Sequence, residues 1–141
     1  MKLRLLPFFL LAIVPLMAAD SPGFVIWPKG VPPADLKGKL DFGNHALSVS
    51  HRDKNGVAEV HEKLVDVLVV ESGEATLVVG GEVVGPKTTA PGEIQGDSIK
   101  GGVSNKVSTG DVIHIPAGVP HQFFVDPGKQ ITYFVVKVAA Q

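Results

Sequence analysis

The stretch from Gly110 to His121 joins a rigid turn to a side chain that can do chemistry. The apolar residues before Pro116 predict a strand that ends at this proline, and Gly118 supplies backbone conformations that other residues resist. His121 then begins the next extended segment with its side chain fixed in one direction. A histidine held in this way can bind a metal ion or transfer a proton near neutral pH. Because the chain contains no cysteine, only nitrogen and oxygen atoms could bind such an ion.

The spacing of this stretch resembles the second sequence motif of the cupin superfamily. In that motif a glycine is followed, after five residues, by proline, any residue, glycine, two further residues and histidine. Gly110, Pro116, Gly118 and His121 occupy these places. The family often has an asparagine four residues after the histidine, where this chain has Val125. The resemblance implies a small β-barrel with a site in its interior.

A more degenerate match to the first cupin motif lies upstream. That motif reads histidine, any residue, histidine, three or four residues, glutamate, six residues and glycine. Glu59, His61, Asp66 and Gly73 keep this spacing, with glutamate in place of the first histidine and aspartate in place of the glutamate. The resemblance implies that Glu59, His61, Asp66 and His121 meet inside the barrel as metal ligands.

Two imidazoles and two carboxylates suit one divalent metal ion, such as Fe(II), Mn(II), Zn(II) or Ni(II). Glu59 and His61 are two residues apart on a predicted strand, so their side chains face the same side. The carboxylates would balance the charge of the ion, and without an ion they would be costly in an apolar interior. The alternative is a metal-free domain, because many cupins have lost their ligands.

His51 and Lys63 are further candidates for a role in the site. His51 shares a strand face with Leu47 and Val49, an apolar pair that is expected to face the interior. His51 is therefore predicted as a catalytic residue, a general base beside the metal. The alternatives for it are a fifth ligand, a hydrogen-bond partner of a ligand, or a structural histidine at the mouth of the barrel. Lys63 could pair with a carboxylate in place of the metal, although a lysine at a strand end is more often solvated.

Short extended segments separated by turn residues must position these side chains. The predicted strands cover residues 45–51, 57–61, 65–70, 75–79, 111–115, 121–125 and 131–138. Gly73 is expected to end one strand, and Gly80-Gly81 to turn a hairpin into the next segment. Residues 85–109 are polar and rich in glycine and are expected to form a long loop or a ragged hairpin. The pattern shows no convincing helix and no internal repeat. It indicates an all-β fold, and with the resemblance a single cupin domain at residues 40–139.

The first 39 residues are expected to lie outside this domain. Two basic residues followed by a short uncharged apolar run and small residues are typical of a secretory signal peptide, at residues 1–19. The run is too short for a comfortable transmembrane helix, so a periplasmic or secreted protein without a stable membrane anchor is predicted. Residues 20–39 are rich in proline and glycine. They are predicted to form an extended N-terminal arm that packs on the domain through Phe24, Ile26 and Trp27.

Charge and composition narrow the range of partners. Without residues 1–19 the chain has 11 basic and 14 acidic residues, a net charge of −3, and it shows no basic stripe. Nucleic acid is therefore not expected as a partner, and a small-molecule ligand or substrate is expected.

Two hypotheses for the function remain open at this point. One is a metalloenzyme of oxygenase, isomerase or lyase type that acts on a small polar metabolite, because small cupins include such enzymes. The other is a non-catalytic module that binds a small ligand or a metal. Barrels of this kind often pair through arm exchange or sheet extension, so a homodimer is expected by analogy.

Overall fold

A computed structural model gives the structure of residues 23–141, so the predicted signal peptide at residues 1–19 lies outside the described part of the chain. A short 3₁₀ helix, Pro28–Gly30, precedes the strands. The strands are β1 (Leu40–Asp41), β2 (His45–Arg52), β3 (Ala58–His61), β4 (Leu64–Val79), β5 (Glu82–Val84), β6 (Lys87–Ala90), β7 (Glu93–Gly96), β8 (Ser98–Lys100), β9 (Val103–Ser108), β10 (Val112–Ile115), β11 (His121–Phe124) and β12 (Ile131–Ala139). Within residues 23–141 no helix has the length and apolar character needed to cross a membrane.

The long strand β4 belongs to both halves of a curled all-β barrel. Its first half pairs with β12 and β10, in a sheet ordered β1-β2-β12-β4-β10. Its second half pairs with β9 and β11, in a sheet ordered β9-β4-β11-β3-β7-β6. Strands β5 and β8 form a separate two-stranded ribbon. The barrel confirms the all-β fold expected from the sequence.

Gly73 marks the point where β4 passes from one sheet to the other, and it does not end the strand as predicted. Its φ angle is 81°, a conformation that a side chain disfavours. A Cβ atom there would also lie 1.9 Å from the backbone oxygen of Gln130. Glycine therefore lets the strand bend and continue, where the sequence suggested a break.

The structure differs from two further predictions about the middle of the chain. Gly80 and Gly81 make a turn with positive φ angles, but β5 then pairs with β8 and forms no hairpin with β4. Residues 85–109 form four strands, β6 to β9. Strands β6 and β7 pair as an irregular hairpin, so the hairpin alternative was right in part and the loop alternative was wrong. These strands are short and most of their residues are exposed or half-buried, so they lack the apolar alternation that would have revealed them.

The hydrophobic core lies between the two sheets. On β12 the side chains of Ile131, Tyr133 and Val135 point into it, because alternate residues of a strand share a face. The other buried members of the core are Leu68, Val70, Ala75, Leu77, Val107, Ile115, Phe123 and Val125. Lys137 continues the inward series of β12 beyond the core, which is where the candidate site begins.

The N-terminal arm covers part of the outer face of the first sheet. Trp27 packs edge-on against Phe134, with 5.8 Å between the ring centroids, and Leu47 lines the same groove. Phe24 and Ile26 are 69% and 68% exposed, so the prediction that they pack against the domain was wrong. The covered face explains why apolar side chains of β2 point away from the barrel interior.

Candidate metal centre

Strand register brings Glu59, His61 and His121 to one place. Glu59 is directly opposite His121 across β3 and β11, and His61 follows two residues later on the same face. One ligand atom from each of the three residues lies within 4.8 Å of the others. Two ligand atoms of one ion with bonds of about 2.0–2.2 Å lie up to about 4.4 Å apart. Three ligands of one ion cannot all lie opposite one another, so these side chains would have to move closer together to bind a metal ion. The group is a possible metal site.

Asp66 reaches the same place from the first sheet. Its Oδ2 atom lies 3.5 Å from Nε2 of His61 and 3.9 Å from Nε2 of His121. Nε2 of His121 is in turn 4.0 Å from Oε2 of Glu59. All four predicted ligands thus line one cavity of about 150 Å³.

Both histidines are anchored through the nitrogen that faces away from the cavity. Nδ1 of His61 lies 2.5 Å from a carboxylate oxygen of Glu93, and Nδ1 of His121 lies 3.2 Å from the backbone carbonyl of Val119. A carbonyl or an ionised carboxylate only accepts, so Nδ1 must be the donor in each ring. A neutral ring then carries its lone pair on Nε2, which points toward the other ligands. Metal-binding histidines in proteins are held in this way.

Burial helps to keep His121 in the form that binds a metal. It lowers the pKa of His121, because a charged imidazolium is poorly solvated in the interior. The hydrogen bond to the Val119 carbonyl and the charges of Asp66 and Glu59 act in the opposite direction. The net lowering leaves His121 neutral near pH 7, with a free lone pair.

Lys137 provides Asp66 with a cationic partner. Its Nζ atom donates to both carboxylate oxygens, at 2.6 Å and 2.9 Å, and it opposes Asp66 directly across β12 and β4. Arg52 approaches Glu59 in a similar way, with 3.6 Å between the nearest nitrogen and Oε2. These two residues place positive charge beside both carboxylates without a metal ion. Lys63, the counter-charge considered from the sequence, is exposed.

Arg52 is held by two aromatic residues of the core. Its Nε atom donates to the Tyr133 hydroxyl at 2.8 Å, and the guanidinium carbon lies 5.7 Å from the centre of the Phe123 ring. Tyr133 stacks on Phe123, with 4.9 Å between their centroids. Burial raises the pKa of Tyr133, so its hydroxyl stays protonated. These contacts fix the direction in which the arginine enters the cavity.

His51 lies on the outer face of β2, so the prediction that it faces the interior was wrong. Its ring is exposed and its Nδ1 atom lies 2.8 Å from the Thr132 hydroxyl. Ser48, Ser50 and Arg52 have the opposite parity and line the cavity. The reason for the error is physical: the arm covers the outer face, and the interior at this end of the barrel is polar.

Sequence reasoning missed Arg52, Lys137 and Glu93. Of these, Lys137 carries a pattern that could have revealed it. It has the parity of Tyr133 and Val135 on one strand, so a charged residue ends an inward-facing apolar series. Glu93 gave no such pattern, because its contact with His61 joins residues 32 positions apart across β3 and β7.

Comparisons with known proteins address the fold. No protein-family model matches the chain, and a search of curated proteins finds no match. Among solved structures, a Klebsiella pneumoniae protein with a double-stranded β-helix domain matches with a TM-score of 0.54 and 17% identity, over 85% of this chain and 91% of that one. A cupin protein from Bacteroides fragilis matches with a TM-score of 0.50 and 14% identity, over 70% and 69% of the two chains. The chain has the cupin fold.

A third solved structure belongs to a characterised enzyme. Oxalate oxidase in complex with the substrate analogue glycolate matches with a TM-score of 0.51 and 15% identity, over 72% of this chain. The match covers only 49% of the oxidase chain. At these identities the comparisons show a shared cupin fold and assign no activity to this protein.

Proposed function

We propose that this cupin binds one divalent metal ion inside its barrel and uses it to act on a small polar metabolite. The orientation of the two histidines carries the proposal. His61 and His121 both hold Nδ1 on an acceptor and direct Nε2 at the carboxylates of Glu59 and Asp66. Such an arrangement supports metal binding, because each neutral ring keeps the lone pair of Nε2 free for an ion.

The donors fit a divalent ion of the Fe, Mn, Zn or Ni type. Glu59, His61 and His121 would hold it, with Asp66 as the fourth candidate ligand. Lys137 binds both Asp66 oxygens, so Asp66 would have to share its charge between the ion and the ammonium group. When bound, such an ion supplies Lewis acidity to an oxygen atom of the metabolite.

The cavity also offers a path for a substrate. The histidines and Asp66 are buried, whereas the side chains of Glu59, Arg52 and Lys137 are between 22% and 27% exposed. The volume of about 150 Å³ lies below the roughly 300–1,000 Å³ of drug-sized ligand pockets. A metabolite of few heavy atoms fits this space.

Titration of metal-free protein with Mn(II) and Zn(II) in a calorimeter tests the proposal. We expect one ion per chain. Replacing either histidine, by His61→Ala or His121→Ala, should weaken binding beyond the roughly 10- to 100-fold that loss of an outer hydrogen-bond partner costs. His114→Ala is the matched control, because His114 is exposed and lies outside the cavity. Unchanged affinity in both histidine variants would contradict the proposal.

The second candidate function is a metal-free module that binds a small ligand without turning it over. The ion pairs of Lys137 with Asp66 and of Arg52 with Glu59 favour it, because they balance both carboxylates without an ion. Failure of the wild-type protein to bind either metal would make this the better account.

Location and assembly remain predictions from the sequence. We propose that the protein is periplasmic or secreted and that residues 1–19 are removed on export. Mass spectrometry of the exported chain tests this proposal. A mature protein that begins at Met1 would contradict it. The proposed assembly is a homodimer, and light scattering after size-exclusion chromatography should give twice the mass of the mature chain.

A further inference from the structure

Arg52 differs from the other cation of the cavity in what its charged end contacts. Lys137 makes two short hydrogen bonds to Asp66. The guanidinium group of Arg52 donates through Nε to Tyr133, while its nearest approach to Glu59 is 3.6 Å. Within residues 23–141 its terminal nitrogens therefore have no hydrogen bond to a protein atom: Nη2 makes the ion pair with Glu59, and Nη1 lies beside Gly56, which has no side chain to cover it.

The charge of the cavity changes when a metal binds. With neutral histidines, Arg52 and Lys137 balance Glu59 and Asp66, so the residues that line the metal-free cavity carry no net charge. A divalent ion bound beside Glu59 adds two positive charges and takes up the carboxylate that faces Arg52. In a space with little water this excess charge favours an anionic ligand.

The wall around Arg52 favours an anion that has a carbon skeleton. Leu68, Phe123 and Val135 line the same cavity and offer apolar surface. The planar fork of an arginine matches the two oxygens of a carboxylate. An inorganic anion could meet the fork but has no apolar part to place against this wall.

We infer that Arg52 is the residue that binds the carboxylate group of a small organic acid in the metal-loaded cavity. Tyr133 and Phe123 hold the guanidinium in place. Once the ion has taken up Glu59, the terminal nitrogens of Arg52 receive the carboxylate, and the carbon chain lies against the apolar wall. The inference rests on the proposed function, since the bound ion creates the excess positive charge. It narrows the metabolite from a small polar molecule to a small carboxylate.

A titration followed by NMR of the ligand tests the inference with propanoate and with propanamide, its neutral analogue of the same shape. Protein loaded with Zn(II) should bind propanoate at least about tenfold more tightly than it binds propanamide or inorganic sulfate, a difference of about 1.4 kcal/mol. It should also bind propanoate at least about tenfold more tightly than metal-free protein does. Arg52→Gln should lose that tenfold preference. Arg52→Lys should keep part of it, because it retains the charge but not the fork.

Two further variants separate the held guanidinium of Arg52 from the general positive charge of the protein. Tyr133→Phe removes the hydroxyl that holds Nε and should weaken propanoate binding while the stacking on Phe123 remains. Lys63→Met removes an exposed positive charge outside the cavity and should bind propanoate as the wild type does. Circular dichroism of each variant checks that it is folded.

The outcomes separate the two proposals. If elemental analysis shows that wild-type protein takes up neither Mn(II) nor Zn(II), the proposed function fails and this inference fails with it. If Zn(II) binds but propanoate and propanamide bind equally, or neither binds, only the inference is overturned. Unchanged propanoate affinity in Arg52→Gln, or tighter binding of sulfate than of propanoate, would also overturn it.

Discussion

The two ends of the barrel interior are built from the same strands but differ in chemistry. On β4 the inward series runs from Asp66 to Leu68 and Val70, and on β12 it runs from Lys137 back to Val135. On each strand a charged residue of the cavity therefore lies only two positions from an apolar residue of the core. The apolar end supplies the burial that stabilises the fold. It also holds the backbone of the shared strands, and this backbone positions the charged groups of the polar end.

Truncation of a side chain at the apolar end should cause the largest loss of stability. Leu77 is 1% exposed, so Leu77→Ala should lower the free energy of unfolding by about 2–5 kcal/mol. Val112→Ala, at a residue that is 70% exposed, should change it by less than about 0.5 kcal/mol. Urea denaturation of both variants gives the comparison. Equal losses would show that the apolar end does not carry the stability assigned to it.

A smaller loss is expected at the polar end in metal-free protein. Lys137→Met leaves the buried Asp66 carboxylate without its cation, which should cost about 2 kcal/mol. This is below the range for fully buried pairs because Lys137 is partly exposed. The double variant Lys137→Met/Asp66→Asn should recover most of the loss. If the double variant is no more stable than the single one, charge pairing is not what Lys137 contributes.

The outer partner of His61 should affect metal binding and not the fold. Glu93→Gln weakens the acceptor that holds His61 Nδ1, so metal affinity should fall about 10- to 100-fold with little change in unfolding. The exposed Glu82→Gln is the control. Calorimetric titration with Zn(II) measures both. An affinity in Glu93→Gln equal to that of the control would remove Glu93 from the site.

The smallest expected effect concerns pH. The pKa of His121 is lowered in the folded protein, so the unfolded chain binds a proton more readily. His121 should therefore contribute stability above the ordinary histidine pKa of about 6.5, and this contribution should fall as the pH drops below it. Denaturation of metal-free protein between pH 5 and 8 should show a shallower slope in His121→Asn than in His114→Asn. Equal slopes would contradict the assignment.

Those parts of the fold could be predicted in which the residue types of a short segment indicate a turn or a strand. Glycine and proline place the turn before His121, and β-branched runs mark the central strands. The strands between residues 85 and 109 could not be predicted one by one, because they are short and mostly exposed or half-buried and so show no apolar alternation. Their pairing depends on contacts far apart in the sequence.

The candidate site was predictable only in part, for a related reason. His121 and His61 have spacings that resemble known motifs, whereas Arg52 and Lys137 reach the cavity from strands that carry no motif. Lys137 contacts Asp66 across 71 residues of sequence. The face of β2 was misassigned because an apolar outer face under the arm looks, in sequence, like an inner one. Sequence patterns show which residues share a face, but not which face is inside.

We propose above all that the polar end of the barrel holds a divalent ion. Crystals soaked in Zn(II), with anomalous diffraction measured on both sides of the zinc absorption edge, test it most directly. We expect one strong anomalous peak within about 2.3 Å of Nε2 of both His61 and His121 and close to a carboxylate oxygen of Glu59. Zinc found only on the surface, with Lys137 and Arg52 still paired to Asp66 and Glu59 in the cavity, would contradict the account.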